Sequence, residues 1–334
     1  MTTHRFVPAI VLLLWILCRS IIFAEGSDPL AMAPIGSTME PVKGSESSSY
    51  EMNGMQNMPS FDQMGVDDEG GDDDDDSGIE GGSGDSSNFI VGGDTVTNSG
   101  RRRRFSYTVT IQVKLIDRYY HLCGGALVSE DKILTAAHCV QNIILIDRLR
   151  VGLNWQSLDT GETDPAAQTI GVKSVTIHPD YYVNDTGIQP YDLAVVTLQT
   201  PVVFRGSGIK NVKLTNPGSD HVFKVCDITG WGHPSVEATS TSSELRHARV
   251  TVMEQADCRQ YMQVSREYWV YDSNLCTLSY PMLISGCQGD GGAPLVCGGR
   301  LVGILSWGLV KCNGCFPDVY TRISSYLAFI NRQL

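Results

Sequence analysis

Gly286-Cys287-Gln288-Gly289-Asp290-Gly291-Gly292-Ala293-Pro294 stands near the C-terminal end of this 334-residue chain. Predicted strands follow it at 293–297 and 301–307, with a short turn between them. The stretch contains Gly291, which has no side chain that could act as a nucleophile. The loop therefore supplies backbone groups and one acid, Asp290, but no reactive hydroxyl.

Alternating or mostly apolar patterns recur along residues 90–334. They predict strands at 107–113, 172–178, 192–198, 249–253, 293–297, 301–307 and 319–323. Because turn residues separate these strands at short intervals, we expect an all-β barrel or sandwich. The spacing of Ile323, Leu327, Ile330 and Leu334 predicts a C-terminal amphipathic helix packed on the body.

Five further motifs lie at intervals along the same region. They are Ile90-Val91-Gly92-Gly93, Leu134-Thr135-Ala136-Ala137-His138-Cys139, Tyr191-Asp192-Leu193-Ala194, Gly230-Trp231-Gly232 and Ser306-Trp307-Gly308. Together with 286–294 they resemble the trypsin-like serine proteases over all of 90–334. The resemblance implies two packed six-stranded antiparallel β-barrels with a cleft between them and a C-terminal helix.

The resemblance also implies a role for each residue of the cleft. His138 is the expected general base, Asp192 orients it, and the amides of Gly289 and residue 291 form the oxyanion hole. Gly291 stands where the family has its serine nucleophile. The catalytic residues are therefore expected to be vestigial, although a water activated by His138 remains an alternative.

The specificity pocket departs from the family pattern as well. The resemblance places Ser285 at the base of the pocket and Ser306 and Gly308 along the substrate side, where neither hydroxyl reaches a bound carbonyl. The family usually has glycine at the position of Asp318. The aspartate either occludes the pocket or offers a carboxylate to an Arg or Lys side chain.

The activation site is also atypical. In the family, a cut after Arg or Lys frees an isoleucine amine, which pairs with the aspartate before the nucleophile. Here Phe89 precedes Ile90, and Asp290 is the expected acceptor. A trypsin-like activator would not cut after Phe89, whereas a chymotrypsin-like enzyme could. The uncut chain is expected to keep a loosely formed oxyanion hole and pocket.

Nine cysteines remain once Cys18 is removed with the predicted signal peptide. The resemblance implies the bridges Cys123–Cys139, Cys226–Cys297, Cys258–Cys276 and Cys287–Cys312. Cys315 is then expected to be unpaired, because Cys312 lies closer to the position of the family's last partner. An odd cysteine in an oxidising compartment also allows an intermolecular disulfide.

The residues before Ile90 differ in composition from the rest. Residues 1–24 have a basic start and an apolar run and are predicted to be a secretory signal peptide, with an uncleaved membrane anchor as the alternative. Residues 25–89 contain sixteen acids and one base, a net charge of −15, and are predicted to be a disordered acidic pro-segment. The domain at 90–334 has 21 acids and 22 bases, a net charge of +1.

Two further sequence motifs are expected to lie on the surface. Residues 101–104 are four arginines, expected to form an exposed basic loop, a convertase site after Arg104, or a patch for acidic polymers or for the acidic segment. Asn184-Asp185-Thr186 is an N-glycosylation sequon, which predicts a glycan at the rim of the cleft.

The sequence thus resembles non-catalytic serine protease homologues, which act as regulatory cofactors in extracellular processes such as protease cascades, immunity in hemolymph, or seminal fluid. Its expected partners are extracellular proteins, including proteases or their substrates. The alternatives are an active serine endopeptidase with an atypical nucleophile and an extracellular adhesive protein. No cofactor, metal, nucleic acid or membrane partner is expected.

Overall fold

The structure is a computed structural model that describes residues 32–34, 90–91, 93–96, 99–184, 188–262, 269–279, 284–309, 312 and 314–334. For residues 32–34 it describes the backbone alone. The predicted signal peptide at 1–24, all of the acidic segment except 32–34, and Phe89 lie outside the described residues.

Short strands make up most of the described secondary structure. In chain order they are β1 Met32–Pro34, β2 Asp94–Thr95, β3 Thr108–Leu115, β4 Arg118–Leu127, β5 Lys132–Thr135, β6 Leu149–Leu153, β7 Gln168–Ile177, β8 Ala194–Leu198, β9 Lys213–Leu214, β10 Val225–Gly230, β11 Arg246–Val252, β12 Asn274–Leu278, β13 Pro294–Cys297, β14 Arg300–Leu309 and β15 Asp318–Arg322. The seven strands predicted from sequence correspond to β3, β7, β8, β11, β13, β14 and β15. Their ends differ from the prediction by up to four residues.

The first barrel closes in the order β3-β4-β5-β8-β7-β6, with every neighbouring pair antiparallel. The first six residues of β3 are all buried, because one face fills the barrel and the other meets the second half of the molecule. Val109, Ile111 and Val151 are among its fully buried side chains.

The second barrel closes in the order β10-β13-β14-β15-β12-β11, again with antiparallel neighbours. β1, β2 and β9 are added to its edges. Val296, Leu301 and Ile304 of this barrel belong to the same apolar cluster as the first barrel's core. The predicted fold of two packed six-stranded antiparallel β-barrels is confirmed.

Three α-helices are described: α1 Ser99–Arg104, α2 Gln255–Met262 and α3 Leu327–Asn331. Phe329 and Ile330 of α3 are buried, and the ring of His178, just after β7, lies 4.8 Å from that of Phe329. The predicted C-terminal helix therefore exists and packs on the first barrel. Its predicted apolar face was too long, because α3 ends at Asn331 and Leu334 is 51% exposed.

Four disulfides join Cys123–Cys139, Cys226–Cys297, Cys258–Cys276 and Cys287–Cys312. These are the four pairs that the resemblance implied. Cys123–Cys139 ties the middle of β4 to the short 3₁₀ helix Ala137–Cys139, which carries His138.

The prediction that Cys315 is unpaired is wrong for this structure. Cys315 is disulfide-bonded, and no described cysteine is free. Its partner lies outside the described residues. The prediction followed from removing Cys18 with residues 1–24, whereas the complete chain has an even number of cysteines, ten.

The arginine run forms a helix rather than the expected loop, although Arg103 and Arg104 are exposed. Residues 101–104 belong to α1, where Arg102 bonds the Asp164 carboxylate at 2.6 Å and Arg104 bonds that of Asp227 at 2.8 Å. Phe105, the next residue, is 2% exposed. Two of the four arginines are therefore held by acids of the β-barrel domain.

Within the described residues, no helix has the length and apolar character needed to cross a bilayer.

Candidate active site

A buried histidine–aspartate pair lies between the two barrels. The 3₁₀ helix that follows β5 presents His138, and Asp192 stands two residues before β8. The Asp192 carboxylate accepts hydrogen bonds from the His138 backbone N–H at 2.9 Å and from His138 Nδ1 at 2.8 Å. Since a carboxylate accepts, Nδ1 carries the proton and Nε2 is the acceptor nitrogen of the ring. This is the tautomer that a general base requires.

The second barrel fixes Asp192 in turn. Ser306 on β14 donates its hydroxyl to Asp192 Oδ2 at 2.6 Å, and Thr321 on β15 donates to the Asp192 carbonyl at 2.7 Å. Asp192 is 1% exposed, and the side chain of His138 is 3% exposed. The pair is thus held rigidly from both barrels.

Gly291 lies in the turn between Cys287 and β13. Its carbonyl accepts the Gly124 N–H at 2.8 Å, which fastens the turn to β4. The glycines of positive φ include Gly289 and Gly292 but not Gly291. The backbone at 291 therefore suits an L-amino acid, and glycine is not required there by its conformation.

The two peptide groups that carry the expected oxyanion-hole amides are fixed through their carbonyls. Gln288 O accepts the His233 N–H at 2.7 Å, and Asp290 O accepts the Ala293 N–H at 2.9 Å. In a trans peptide the N–H points opposite to the carbonyl, so the N–H groups of Gly289 and Gly291 are fixed as well. Within the described residues, neither N–H donates to a protein acceptor. These hydrogen bonds hold the loop in this structure, and the loosely formed oxyanion hole and pocket expected for the uncut chain stay a prediction.

His121 on β4 supports the same loop and was not identified from sequence. Its Nε2 lies 2.8 Å from the Gly289 carbonyl, and its Nδ1 lies 2.8 Å from the Thr110 hydroxyl. Burial lowers the pKa of His121 to about 4, so the ring is neutral and its Nε2–H donates to Gly289. A single histidine two residues before a disulfide cysteine gives no sequence signal of this role.

Asp290 is completely buried beneath the loop. Its carboxylate accepts the backbone N–H of Gly232 at 2.7 Å and of Cys287 at 3.0 Å, and burial raises its pKa to about 6. Ile90, which is 2% exposed, and Asp290 line the same small cavity. Asp290 has no salt bridge to any side chain that the structure describes. The expected activation partners are therefore close together before any cut.

Asp318 closes the base of the expected specificity pocket. Its carboxylate accepts the Ser285 hydroxyl and the Gly286 N–H, both at 2.7 Å. Asp318 is 4% exposed, and burial raises its pKa to about 7. Gly308 follows Ser306 and Trp307 on β14, as the resemblance placed it. Each Asp318 oxygen accepts one hydrogen bond within the protein, and whether the carboxylate occludes the pocket or binds a basic side chain stays a prediction.

The remaining candidate residues have limited structural context. Asn184 is half-buried, and its Oδ1 accepts the Ile188 N–H at 2.8 Å; Asp185 and Thr186 lie outside the described residues. Glycosylation at Asn184 stays a prediction.

One cluster of possible metal ligands is described. Cys123, His138 and Cys139 lie close enough to hold a metal, but both sulfurs belong to a disulfide and are not thiolates.

Comparisons with known proteins show which proteins this chain is similar to. Residues 90–330 match the family described as Trypsin. A chymotrypsin-like serine proteinase of Haliotis rufescens is 31% identical over 237 residues, 69% of this chain and 87% of the relative. Isozyme C of the fibrinolytic enzyme of Lumbricus rubellus is 34% identical over 220 residues, 63% of this chain and 87% of the relative. Neuropsin, a serine protease expressed in the limbic system of mouse brain, is similar in structure with a TM-score of 0.60 and 28% identity, over 72% of this chain and 98% of that one.

Proposed function

This chain belongs to the trypsin family of serine proteases, and we propose that it is a non-catalytic member that acts by binding other proteins. The observation that carries the proposal is Gly291 in the loop beside the His138–Asp192 pair. The proton acceptor and its orienting carboxylate remain, but the residue that would form the acyl-enzyme bond has no side chain.

The two nearby hydroxyls are committed to other groups. Ser306 donates to Asp192, and Ser285 lies against Asp318 at the base of the pocket. A serine whose proton is held by a carboxylate is not activated by the histidine as a nucleophile. Neither residue therefore replaces a serine at 291.

Proteolysis by an atypical route is the second candidate. It is favoured by the relatives, which are named as proteases, and by the ordered His138–Asp192 pair. A water activated by His138 would retain only the contribution of the oxyanion hole and of binding, about 10³-fold over the uncatalysed reaction. Against a serine protease this activity would be small.

The four described disulfides support a protein of an oxidising compartment, and hence the extracellular location implied by residues 1–24. Its partners would be extracellular proteins, including proteases or their substrates. The closed pocket at Asp318 supports the binding of surfaces or extended segments, and it disfavours the insertion of a single basic side chain.

A fluorophosphonate probe tests the proposal, because the probe reacts covalently with an activated serine. The full chain is incubated with the probe, and labelling is measured by mass spectrometry before and after digestion with chymotrypsin, with the cut after Phe89 verified by N-terminal sequencing. We expect no labelling in either state.

The matched control is Gly291→Ser, which restores a hydroxyl at a position whose backbone accepts a side chain. The cut control protein should label at residue 291. Labelling of the unsubstituted chain, or peptide hydrolysis by it that His138→Ala abolishes, would show that the protein is an enzyme.

A further inference from the structure

The arginine run contains a cation that its two salt bridges do not use. Both neighbours of Arg103 in α1 bond acids, whereas Arg103 itself is exposed. The Cγ atom of Arg103 lies 3.6 Å from the point where a Cβ on Gly208 would stand, so its apolar stem runs along the loop that contains Gly208. The helix α1 therefore holds the Arg103 guanidinium at the surface beside this loop.

A buried hydroxyl fastens α1 to the same loop. The Ser106 hydroxyl donates to the Arg103 carbonyl at 3.0 Å, and its oxygen accepts the Lys210 N–H at 3.1 Å. Ser106 is 2% exposed. Asn154, which also bonds α1, donates to the Ser207 carbonyl at 3.2 Å. The backbones of Arg103 and Lys210 are therefore fixed side by side.

The loop brings three more cations to the surface. Arg205 and Lys210 are exposed, and Lys213 is exposed on β9, the short strand that pairs with β14. Ile209 and Val212 are buried, which anchors the segment, and the Cα atoms of Lys210 and Lys213 are at most about 11 Å apart. We define the basic face of the domain by four exposed side chains: Arg103, Arg205, Lys210 and Lys213.

Few acids are placed to neutralise the basic face. Residues 95–116 and 193–219, which contain all four cations, include no Asp or Glu. Glu130, whose carbonyl accepts the Val202 N–H at 2.7 Å, is an exposed acid of the adjacent turn. Within the part of the chain that the structure describes, no side chain of the basic face forms a salt bridge. Since the whole domain has a net charge of only +1, these cations are a local excess of positive charge.

We propose that the basic face binds a sulfated polysaccharide of the extracellular space. Clustered Arg and Lys side chains attract polyanions, and their N–H groups form charge-assisted hydrogen bonds with anionic oxygens. The disulfides support an oxidising, extracellular location, where sulfated polysaccharides are abundant polyanions. This binding site is additional to the proposed function, and it does not depend on whether the protein is an enzyme.

The acidic segment of the same chain sets a requirement for the partner. A partner must attract the basic face more strongly than residues 25–89, which contain sixteen acids in 65 residues. A polysaccharide with an anionic group on most of its sugar units has a higher linear charge density, so its binding releases more condensed counterions. An acidic protein segment of ordinary composition lacks this advantage. Charge density therefore favours a polysaccharide over an acidic protein as the occupant.

Removing part of the basic face tests the proposal in the full chain. The test variant carries Arg103→Ala, Lys210→Ala and Lys213→Ala. Binding of heparin, used as the sulfated polysaccharide, is measured by isothermal titration calorimetry at physiological salt. We expect the unsubstituted chain to bind heparin saturably and the test variant to bind at least about tenfold more weakly, because three charged contacts are lost.

A charge-matched control separates the basic face from general charge attraction. It carries Arg118→Ala, Lys173→Ala and Arg332→Ala, which remove three exposed cations from β4, β7 and the C-terminal end. Its affinity for heparin should stay within about twofold of the unsubstituted chain. Equal melting temperatures of the three proteins would show that loss of binding does not come from unfolding.

Salt and sulfate content identify the class of partner. The affinity for heparin should fall as salt rises, with a shallower slope in the test variant, because fewer counterions are released. Desulfated heparin of the same length should bind at least about tenfold more weakly than heparin. A poly-aspartate peptide of equal charge that binds as tightly as heparin would assign the surface to an acidic protein instead. That result, no saturable binding of heparin, or equal heparin affinity of the test variant and the control would overturn the proposal.

Discussion

At the scale of single residues, the chain keeps two acids where their charge is poorly solvated. Asp318 and Asp290 are both completely buried, and backbone N–H groups supply most of their hydrogen bonds. Burial raises the pKa of both carboxyls, and the nearby charge of Asp290 adds to the raised pKa of Asp318. The pair therefore links the pocket base and the activation site through one electrostatic environment.

This burial predicts a pH dependence of stability that Asp318→Asn should reduce. The pKa of Asp318 rises from 3.8 to about 7 on folding, so the folded chain retains a proton that the unfolded chain loses. The stabilisation is fully present below about pH 4 and is lost as the pH rises through 7. Since a tenfold change in an ionisation constant corresponds to about 1.4 kcal/mol, the loss is on the order of 4 kcal/mol.

Urea denaturation from pH 4 to pH 8 measures the effect. The difference in unfolding free energy between Asp318→Asn and the unsubstituted chain should shift in favour of the variant as the pH rises. Asp159→Asn, at an exposed position, is the control and should follow the unsubstituted chain. Parallel curves for Asp318→Asn and the unsubstituted chain would contradict the buried ionisation.

At Gly292 both the backbone conformation and the surrounding atoms disfavour any residue with a side chain. Its φ is +77°, and a Cβ built there would lie 2.2 Å from Thr135 Oγ1 and 2.5 Å from the Gly124 carbonyl. Gly299, in the turn between β13 and β14, has φ +72° with open space around it. Gly299→Ala should cost about 1 kcal/mol for the left-handed backbone alone. Gly292→Ala should cost about 1–3 kcal/mol more because of the clash, as measured by denaturation. Equal losses would show that the turn relaxes around the added carbon.

At the scale of elements, the arginine run lies in α1, and the bonds of Arg102 and Arg104 attach this helix to the rest of the domain. Arg102 also donates to Asn154 through Nε and Nη2, and Asn154 bonds the Ala166 and Ser207 carbonyls. A processing enzyme needs an extended segment, and α1 is helical with buried Phe105 directly after it. Cleavage after Arg104 therefore requires local unfolding.

Limited digestion with an arginine-specific protease tests this. We expect slow cleavage within 101–104 in the unsubstituted chain and cleavage several-fold faster in Asp164→Ala, which breaks the 2.6 Å bond to Arg102. Asp159→Ala, five residues earlier at an exposed position, should not change the rate. If all three proteins are cut equally fast, α1 does not protect the run.

Elements differ in how far the sequence predicts them. The strand at β3 could be read from alternation at 107–113. Its apolar side chains fill the barrel, whereas Thr108, Thr110 and Gln112 on the other face hydrogen-bond polar groups. β1 could not, because three residues give no periodicity and its partner edge is more than 270 positions away. The His138–Asp192 pair was predictable only through the family resemblance, since 54 residues separate its members. The prediction that Cys315 is unpaired depended on leaving Cys18, within residues 1–24, out of the cysteine count.

At the scale of the whole molecule, the first residues of the domain lie against the active-site loop and the base of the pocket. Ile90 is buried next to Asp290, and Val91 forms an isolated bridge with Ser285 at the pocket base. Burial raises the pKa of Asp290 to about 6, and its hydrogen-bond donors among the described residues, the N–H groups of Gly232 and Cys287, are neutral. A cation placed in this cavity would therefore bind the ionised form of Asp290 and lower its pKa.

Cleavage before Ile90 should supply that cation. In Phe89→Arg, a trypsin-like enzyme can release the Ile90 amine, and N-terminal sequencing verifies the cut. The new ion pair should stabilise the cut chain at pH 7 by about 2 kcal/mol relative to the cut Phe89→Arg, Asp290→Asn double variant. The difference should shrink only below about pH 4, because a carboxylate whose folded pKa is held below the unfolded value of 3.8 loses its stabilising effect as the pH falls through the folded pKa.

Thermal denaturation of the two cut proteins at pH 7 and at about pH 2 measures this coupling. Adding Gly291→Ser to Phe89→Arg then asks whether the restored pair also completes a catalytic site. Labelling by a fluorophosphonate only after the cut would mean that this molecule retains the family's activation mechanism and lacks only the nucleophile. A stability difference without labelling would mean that Asp318 or the surrounding loops still close the cleft. If the cut gives no stability difference at pH 7, the Ile90 amine does not reach Asp290, and the activation mechanism has been lost as well.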